Sequence, residues 1–283
     1  QSSLVPPLGV GVETWLWEFG DGNTSTDQNP IHLYNTAGMY NAILTVTDSN
    51  GCQGYDTNIV VVDTLPIVNF SFTDTICLGD TTFFTDQSIN TSGTITTWNW
   101  NFGDGNTSTD QNPIHLYNNA GTYTVILNII DDNLCQNTDT QTVIVRPNPI
   151  AIFTADTVCV GFNTELQSLS ISDPNYPNIA GTINSWDWIF GDGNSYGNDS
   201  STVHNLYAPY GAYLVTLTVT DQYGCNTETS DSIYVNPGPI AAFVIDTICE
   251  GDSTTFTDQS SLVPPLGVGV ETWLWEFGDG NTS

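Results

Sequence analysis

The chain has 283 residues, 31 acidic side chains, a single arginine (Arg146) and no lysine, for a formal net charge of −30. That balance excludes a nucleic-acid binder, which must neutralise phosphates with Lys and Arg, and a polybasic membrane-surface protein. With 39% hydrophobic and 11% aromatic residues it is not simply disordered, and its length has room for real cores.

Gln1–Ser25 reads QSSLVPPLGVGVETWLWEFGDGNTS, and Gln259–Ser283 repeats it letter for letter, a period of 258 residues. All eight tryptophans sit in a second, shorter repeat, W-x-W-x-F-G-D-G, at Trp15–Gly22, Trp98–Gly105, Trp186–Gly193 and Trp273–Gly280. The offsets of 83, 88 and 87 divide the block into three modules of about 86 residues, the signature of a repeat array. Phe19–Asn35 and Phe102–Asn118 are identical, which points to recent duplication. Modules are expected at 1–65, lacking its first strands, 66–148 and 149–238. Residues 239–283 are expected to be the N-terminal part of a further one. Residues 238–258 followed by 1–65 would make one whole module, so both ends read as arbitrary cuts in a longer polymer. No stretch approaches the roughly 20 apolar residues of a membrane span, and no signal peptide opens the chain.

In the middle module Val68, Phe70 and Phe72 alternate with polar residues, the pattern of a half-buried strand. A break at Leu78–Gly79–Asp80 precedes a strand over Thr81–Asp86, and Ile95–Phe102 follows with Trp98, Trp100 and Phe102 on one face. Gly103–Asp104–Gly105 forces a tight turn. Gly121–Asp131 is the longest strand, with Tyr123, Val125, Leu127 and Ile129 on one face, and Thr140–Val145 closes the module. No segment has helical periodicity. Short strands with turns between them predict an all-β fold of antiparallel sandwiches.

The set W-x-F-G-D-G, N-P-x-H-x-Y and G-x-Y-x-V-x-L-x-V-x-D-x-x-G-C resembles the PKD (polycystic kidney disease) domain. The resemblance implies tandem immunoglobulin-like sandwiches. Its motif positions fall on Trp17, Phe19, Asp21, His32 and Tyr34. The same positions recur as Trp100, Phe102, Asp104, His115 and Tyr117, and as Trp188, Phe190, Asp192, His204 and Tyr207. The third module departs locally, with Val203–Tyr207 in place of P-I-H-L-Y. The cysteine positions and the D-T-[IV]-C-x-G opening resemble PKD arrays of giant Bacteroidota surface proteins. Those include gliding-motility adhesins exported by type IX secretion.

The junctions Leu65–Pro66, Pro147–Pro149 and Pro237–Pro239 are short and proline-rich, hence semi-rigid. At ~3.3 Å per residue a ten-residue strand makes a module roughly 35 Å long, so an elongated rod is expected. Cys52, Cys135 and Cys225 follow the long strand; Cys77, Cys159 and Cys249 follow the first strand. Their spacing matches no zinc pattern, and an extracellular setting favours disulfides. In the sandwich that the resemblance implies, these two positions lie at opposite poles. Head-to-tail stacking then predicts an inter-module bond Cys77–Cys225, with Cys52, Cys135, Cys159 and Cys249 pairing outside the excerpt. Pairing within modules, Cys77–Cys135 and Cys159–Cys225, is the alternative.

No catalytic motif appears, and His32, His115 and His204 read as structural side chains near the repeated tyrosine. Asp48, Asp131 and Asp221 head turns rich in oxygen ligands. The PKD resemblance makes calcium relevant there; solvated Asx turns are the other reading. No other cofactor is expected. D-[ST]-aliphatic sites at Thr64, Thr75, Thr157, Ser232 and Thr247 resemble the Bacteroidota O-glycosylation signal. The function expected is a non-enzymatic, extracellular cell-surface stalk or adhesin. Further tandem copies are its partners, beside an unknown surface or glycan target, without nucleic acid or membrane insertion in this segment. The alternatives are a spacer of a secreted hydrolase or protease, and a carbohydrate-binding module.

Overall fold

The computed structural model describes residues 11–73, 75–197, 200–262, 270 and 272–283. The chain is all-β, and its strands fall in two compact units. One holds Gln1–Asp74, Thr81–Leu116 and Thr122–Val143; the other holds Thr75–Asp80, Tyr117–Gly121 and Ile144–Ser283.

In the first unit, β1 (Val12–Glu18), β2 (Thr24–Ser25), β3 (Gly38–Asp48) and β4 (Gln53–Val62) make one antiparallel sheet in the order β2-β1-β3-β4. Trp17 stands opposite Leu44, and the register slips between Val12 and Thr14. The chain continues through β5 (Phe70–Phe72), β6 (Ile76–Cys77), β7 (Thr81–Asp86), β8 (Ile95–Asn101), β9 (Thr107–Ser108), β10 (Ile114–Leu116), β11 (Gly121–Asp131) and β12 (Gln136–Arg146). Strands β10-β7-β5 form a three-stranded sheet that packs on the sheet carrying β12-β11-β8-β9. The contact is aromatic. Phe70 meets the Trp100 ring edge-on at 5.1 Å, and Phe84 lies 5.5 Å from it. Val125, Leu127 and Ile129, alternate residues of β11, are fully buried beneath. The period-2 alternation in β11 is what creates this inner face.

The second unit repeats the plan. Strands β13 (Phe153–Ala155), β14 (Asn163–Ser168) and β17 (Thr202–Leu206) form one sheet. Strands β15 (Ile183–Ile189), β16 (Ser195–Gly197), β18 (Gly211–Asp221) and β19 (Asn226–Val235) form the other, ordered β16-β15-β18-β19. Leu166, Trp188, Phe190, Val203, Tyr207, Val215, Leu217, Val219 and Val235 make the core. A hairpin-like pair, β20 (Phe243–Ile245) and β21 (Phe256–Asp258), follows.

Two features exceed the reading from the sequence. The closing strand is longer than Thr140–Val145: β12 begins at Gln136, and β19 pairs with β18 along ten positions from Gly211↔Val235 to Thr220↔Asn226. Backbone pairing continues where the side chains are polar on both faces, so hydrophobic alternation underestimates it. The segment Ile76–Cys77 also pairs parallel with Val145 and Arg146, and Cys159 makes the equivalent parallel bridge to Asn236.

Candidate functional site

The repeated G-D-G turn is a clip, built the same way in the first two modules. Asp104 Oδ1 accepts from the Asn106 amide at 3.0 Å. Its Oδ2 lies 2.9 Å from Asn106 Nδ2 and 2.8 Å from His115 Nε2. The His115 ring stacks on Phe102 at 4.2 Å, nearly parallel. Asp21, His32 and Phe19 reproduce this, with 2.8 Å from Nε2 to carboxylate and 4.0 Å between rings. Tyr34 donates to the Phe19 carbonyl at 3.0 Å. The indoles are tied in as well: Trp17 donates to Asp27 O, Trp100 to Asp110 O and Trp188 to Ser200 O.

The third module corrects the equivalence of the three histidines. There Asn205 Nδ2 donates to Asp192 at 2.8 Å, while the exposed His204 lies 3.6 Å from Glu165. The cause is strand parity. His32 and His115 precede their tyrosine by two residues; His204 precedes Tyr207 by three and so points to the opposite face. The H-N-L-Y spacing carried this signal, and Asn205 is the residue missed.

Partial burial disfavours ionisation of Asp104, but the Asn106 amide and the His115 ring outweigh it and lower its pKa. At Asp21 the same balance leaves the pKa at about 2. Since the folded values lie below the ordinary carboxylate range near ~3.9, these contacts stabilise fully above that range. They are lost as pH falls through the folded values. Urea midpoints measured between pH 5 and 2 should therefore fall steeply for the native chain and more gently for Asp104→Asn.

Asp48, Asp131 and Asp221 head the last hairpin of each module. Each Oδ1 accepts two amides of its own turn: Asn50 and Cys52, Asn133 and Cys135, Tyr223 and Cys225. These are Asx turns. Among the described residues no group of three His, Cys, Asp or Glu side chains is placed to hold a metal ion.

The cysteines meet in the second unit. Cys77 and Cys225 form a disulfide with 5.4 Å between Cα atoms. The pairings Cys77–Cys135 and Cys159–Cys225 are therefore not made, because each would need a sulfur already bonded. Around the disulfide, Leu78 N donates to Arg146 O at 2.8 Å and Asn148 Nδ2 to Leu78 O at 2.9 Å. The chain's single arginine closes the cluster. Its guanidinium lies 3.4 Å from the centroid of the Tyr223 ring, and Nη1 donates to Ile179 O at 2.9 Å. A lone cation in a strongly acidic chain was the available signal for this role, and no motif marked it. Cys52, Cys159 and Cys249 are exposed and unpaired; Cys135 is unpaired and half-buried.

The PKD domain family model matches residues 8–62, 63–145 and 146–237. The chain belongs to the PKD domain family. The disulfide thus joins the second and third PKD domains. Relatives include the pre-pro-metalloprotease PrtV of Vibrio cholerae, 29% identical over 121 residues, which are 43% of this chain and 13% of PrtV. A microbial collagenase of Vibrio alginolyticus is 47% identical over 57 residues, 18% of this chain and 7% of the collagenase. The chain therefore spans only a small part of the length of these relatives. Among solved structures, the PKD1 domain of Vibrio anguillarum Epp is 32% identical, covers 30% of this chain and 96% of its own, and has a TM-score of 0.27.

The D-[ST]-aliphatic hydroxyls of the PKD array, Thr64, Thr75, Thr157, Ser232 and Thr247, are all on exposed residues. The Thr64 hydroxyl is shared with Thr91 and Ser92 at 2.9 and 2.8 Å.

Proposed function

We propose that this PKD array is a non-enzymatic segment of a long extracellular fibre or adhesin, working as a stiff stalk on a cell surface. One observation carries the reading: residues 1–25 and 259–283 are identical at a spacing of three modules. Duplication of whole blocks adds length, and length is useful to a stalk. Short proline-rich junctions limit bending. The charge, −7, −7, −9 and −7 over residues 1–65, 66–148, 149–238 and 239–283, disfavours lateral collapse. Adhesion, with gliding motility as its specific form and type IX secretion as its route, follows from the resemblance to Bacteroidota surface arrays. The modules are taken as 1–65, 66–148, 149–238 and 239–283.

A second reading is a spacer within a secreted protease, favoured by the PrtV and collagenase relatives. Electron microscopy of native cell surfaces separates the two. Thin fibres with a repeat of one block, labelled by antibody to this chain, are expected. A compact secreted species carrying a catalytic domain would replace the stalk with the spacer. Calcium at Asp48, Asp131 or Asp221 and glycans at the five hydroxyls are independent proposals. A chelator-dependent melting temperature would support the first, and an intact mass above that of the bare sequence the second.

A further inference from the structure

Residues 11–62 and 239–283 contain complementary halves of one domain. In the first unit the inner face of β2-β1-β3-β4 is open: Leu44 and Val46 are half-buried, whereas their counterparts Leu127, Ile129, Leu217 and Val219 are wholly buried. Shallow clefts lie over this face beside Trp17 and Val60 and beside Leu44 and Val46. In the second unit, β20 and β21 hold the aromatic half that this face lacks. Phe243 meets Trp275 edge-on at 5.5 Å and Phe256 lies 5.7 Å from it. Phe70 and Phe84 contact Trp100 in the same way, at 5.1 and 5.5 Å. Phe243 is nonetheless 57% exposed and Trp273 51%, while Phe70 is 2% exposed. Residues 259–283 are also identical to 1–25, so the Trp273–Trp275 segment beside β20 and β21 has the sequence of β1.

The cysteines fall into the same register. In Cys77–Cys225, the cysteine after the first strand of one domain bonds the last hairpin of the next. The end of the first domain lies beside the hairpin of Cys135 as Arg146 lies beside that of Cys225: Asn137 Nδ2 donates to Pro66 O at 2.9 Å, and Ser92, hydrogen-bonded to Thr64, accepts from Asn133.

We infer that a second copy of this chain docks head to tail, its β1–β4 sheet receiving β20 and β21 of the first, and that two disulfides, Cys249–Cys135 and Cys159–Cys52, seal the joint. Each bond forms by exchange: two protein thiols and one small-molecule disulfide, such as oxidised glutathione, give one protein disulfide and two small thiols. All six cysteines are then used under one rule. In a longer chain, the next block supplies the second copy. The inference extends the stalk reading but does not need it, because it concerns the purified chain alone.

The test is incubation of the full chain at high micromolar concentration in a glutathione redox buffer, then non-reducing electrophoresis and peptide mapping. The chain has no lysine and its one arginine, Arg146, precedes Pro147, a bond trypsin does not cut, so cleavage before aspartate is used. The expected result is a ladder in steps of 30.7 kDa, with linked peptides Cys249–Cys135 and Cys159–Cys52 beside Cys77–Cys225. Cys249→Ser should abolish the first link and keep the second. The double variant with Cys159→Ser should abolish the ladder and leave Cys77–Cys225. A monomer carrying only Cys77–Cys225 overturns the inference, and so do symmetric links such as Cys249–Cys249. Either outcome leaves the stalk reading to the micrographs.

Discussion

Replacement of Trp188 by alanine should unfold the third PKD domain under conditions in which the native chain is stable. Trp188 is 1% exposed and sits among Leu166, Val203, Leu217 and Val219, with Phe153 edge-on to its ring at 5.5 Å. Removing a buried aromatic side chain forfeits its transfer free energy and leaves a cavity, about 3–5 kcal/mol in total. The indole hydrogen bond to Ser200 O disappears as well. A domain stable by only about 5–15 kcal/mol then retains little margin. Urea unfolding followed by tryptophan fluorescence checks this. A loss under about 1 kcal/mol would mean that the two sheets do not depend on this ring. Trp188→Phe, which keeps apolar bulk, should lose clearly less.

The second large effect lies in the G-D-G turn, and its two glycines should behave differently. Gly191 and Gly193 both have positive φ, at 78° and 95°. A Cβ on Gly191 would stand 2.4 Å from the Leu214 carbonyl oxygen and 2.9 Å from its nitrogen, whereas one on Gly193 meets nothing within 4 Å. Gly193→Ala therefore carries only the left-handed backbone cost, roughly 1 kcal/mol. Gly191→Ala adds a collision with paired backbone that cannot rotate away, for roughly 3 kcal/mol or more. The same contrast holds at Gly103 against Thr124 and at Gly20 against Asn41. Equal losses at the two glycines, measured by thermal unfolding, would contradict the close approach as the reason for glycine at the first position.

Parity alone placed Trp98, Trp100 and Phe102 on one face, because side chains alternate along a strand whatever its neighbours are. The bounds of β11, Gly121–Asp131, could be read from an unbroken run of alternating residues. The turn glycines could be read as positive-φ positions, but which of them lies against another strand could not. That depends on β18 passing beside the turn, a contact between residues 23 apart. Likewise H-x-Y marked the clip in two domains, and its failure at His204 follows from one residue of strand phase.

Residue order alone carries the all-β class, the 258-residue block, the PKD modules and the core faces. Each of these is a periodicity, and periodicity is carried by local residue order. The rest came from the folded chain. It bonded Cys77 to Cys225 across 148 positions. It set the single guanidinium on Tyr223 and gave Asn205 the place at Asp192 that histidine holds in the other domains. These depend on which chain segments become neighbours in space: the repeat register left Cys77 both Cys225 and Cys135 as partners, and an arginine has no repeat pattern that names its partner.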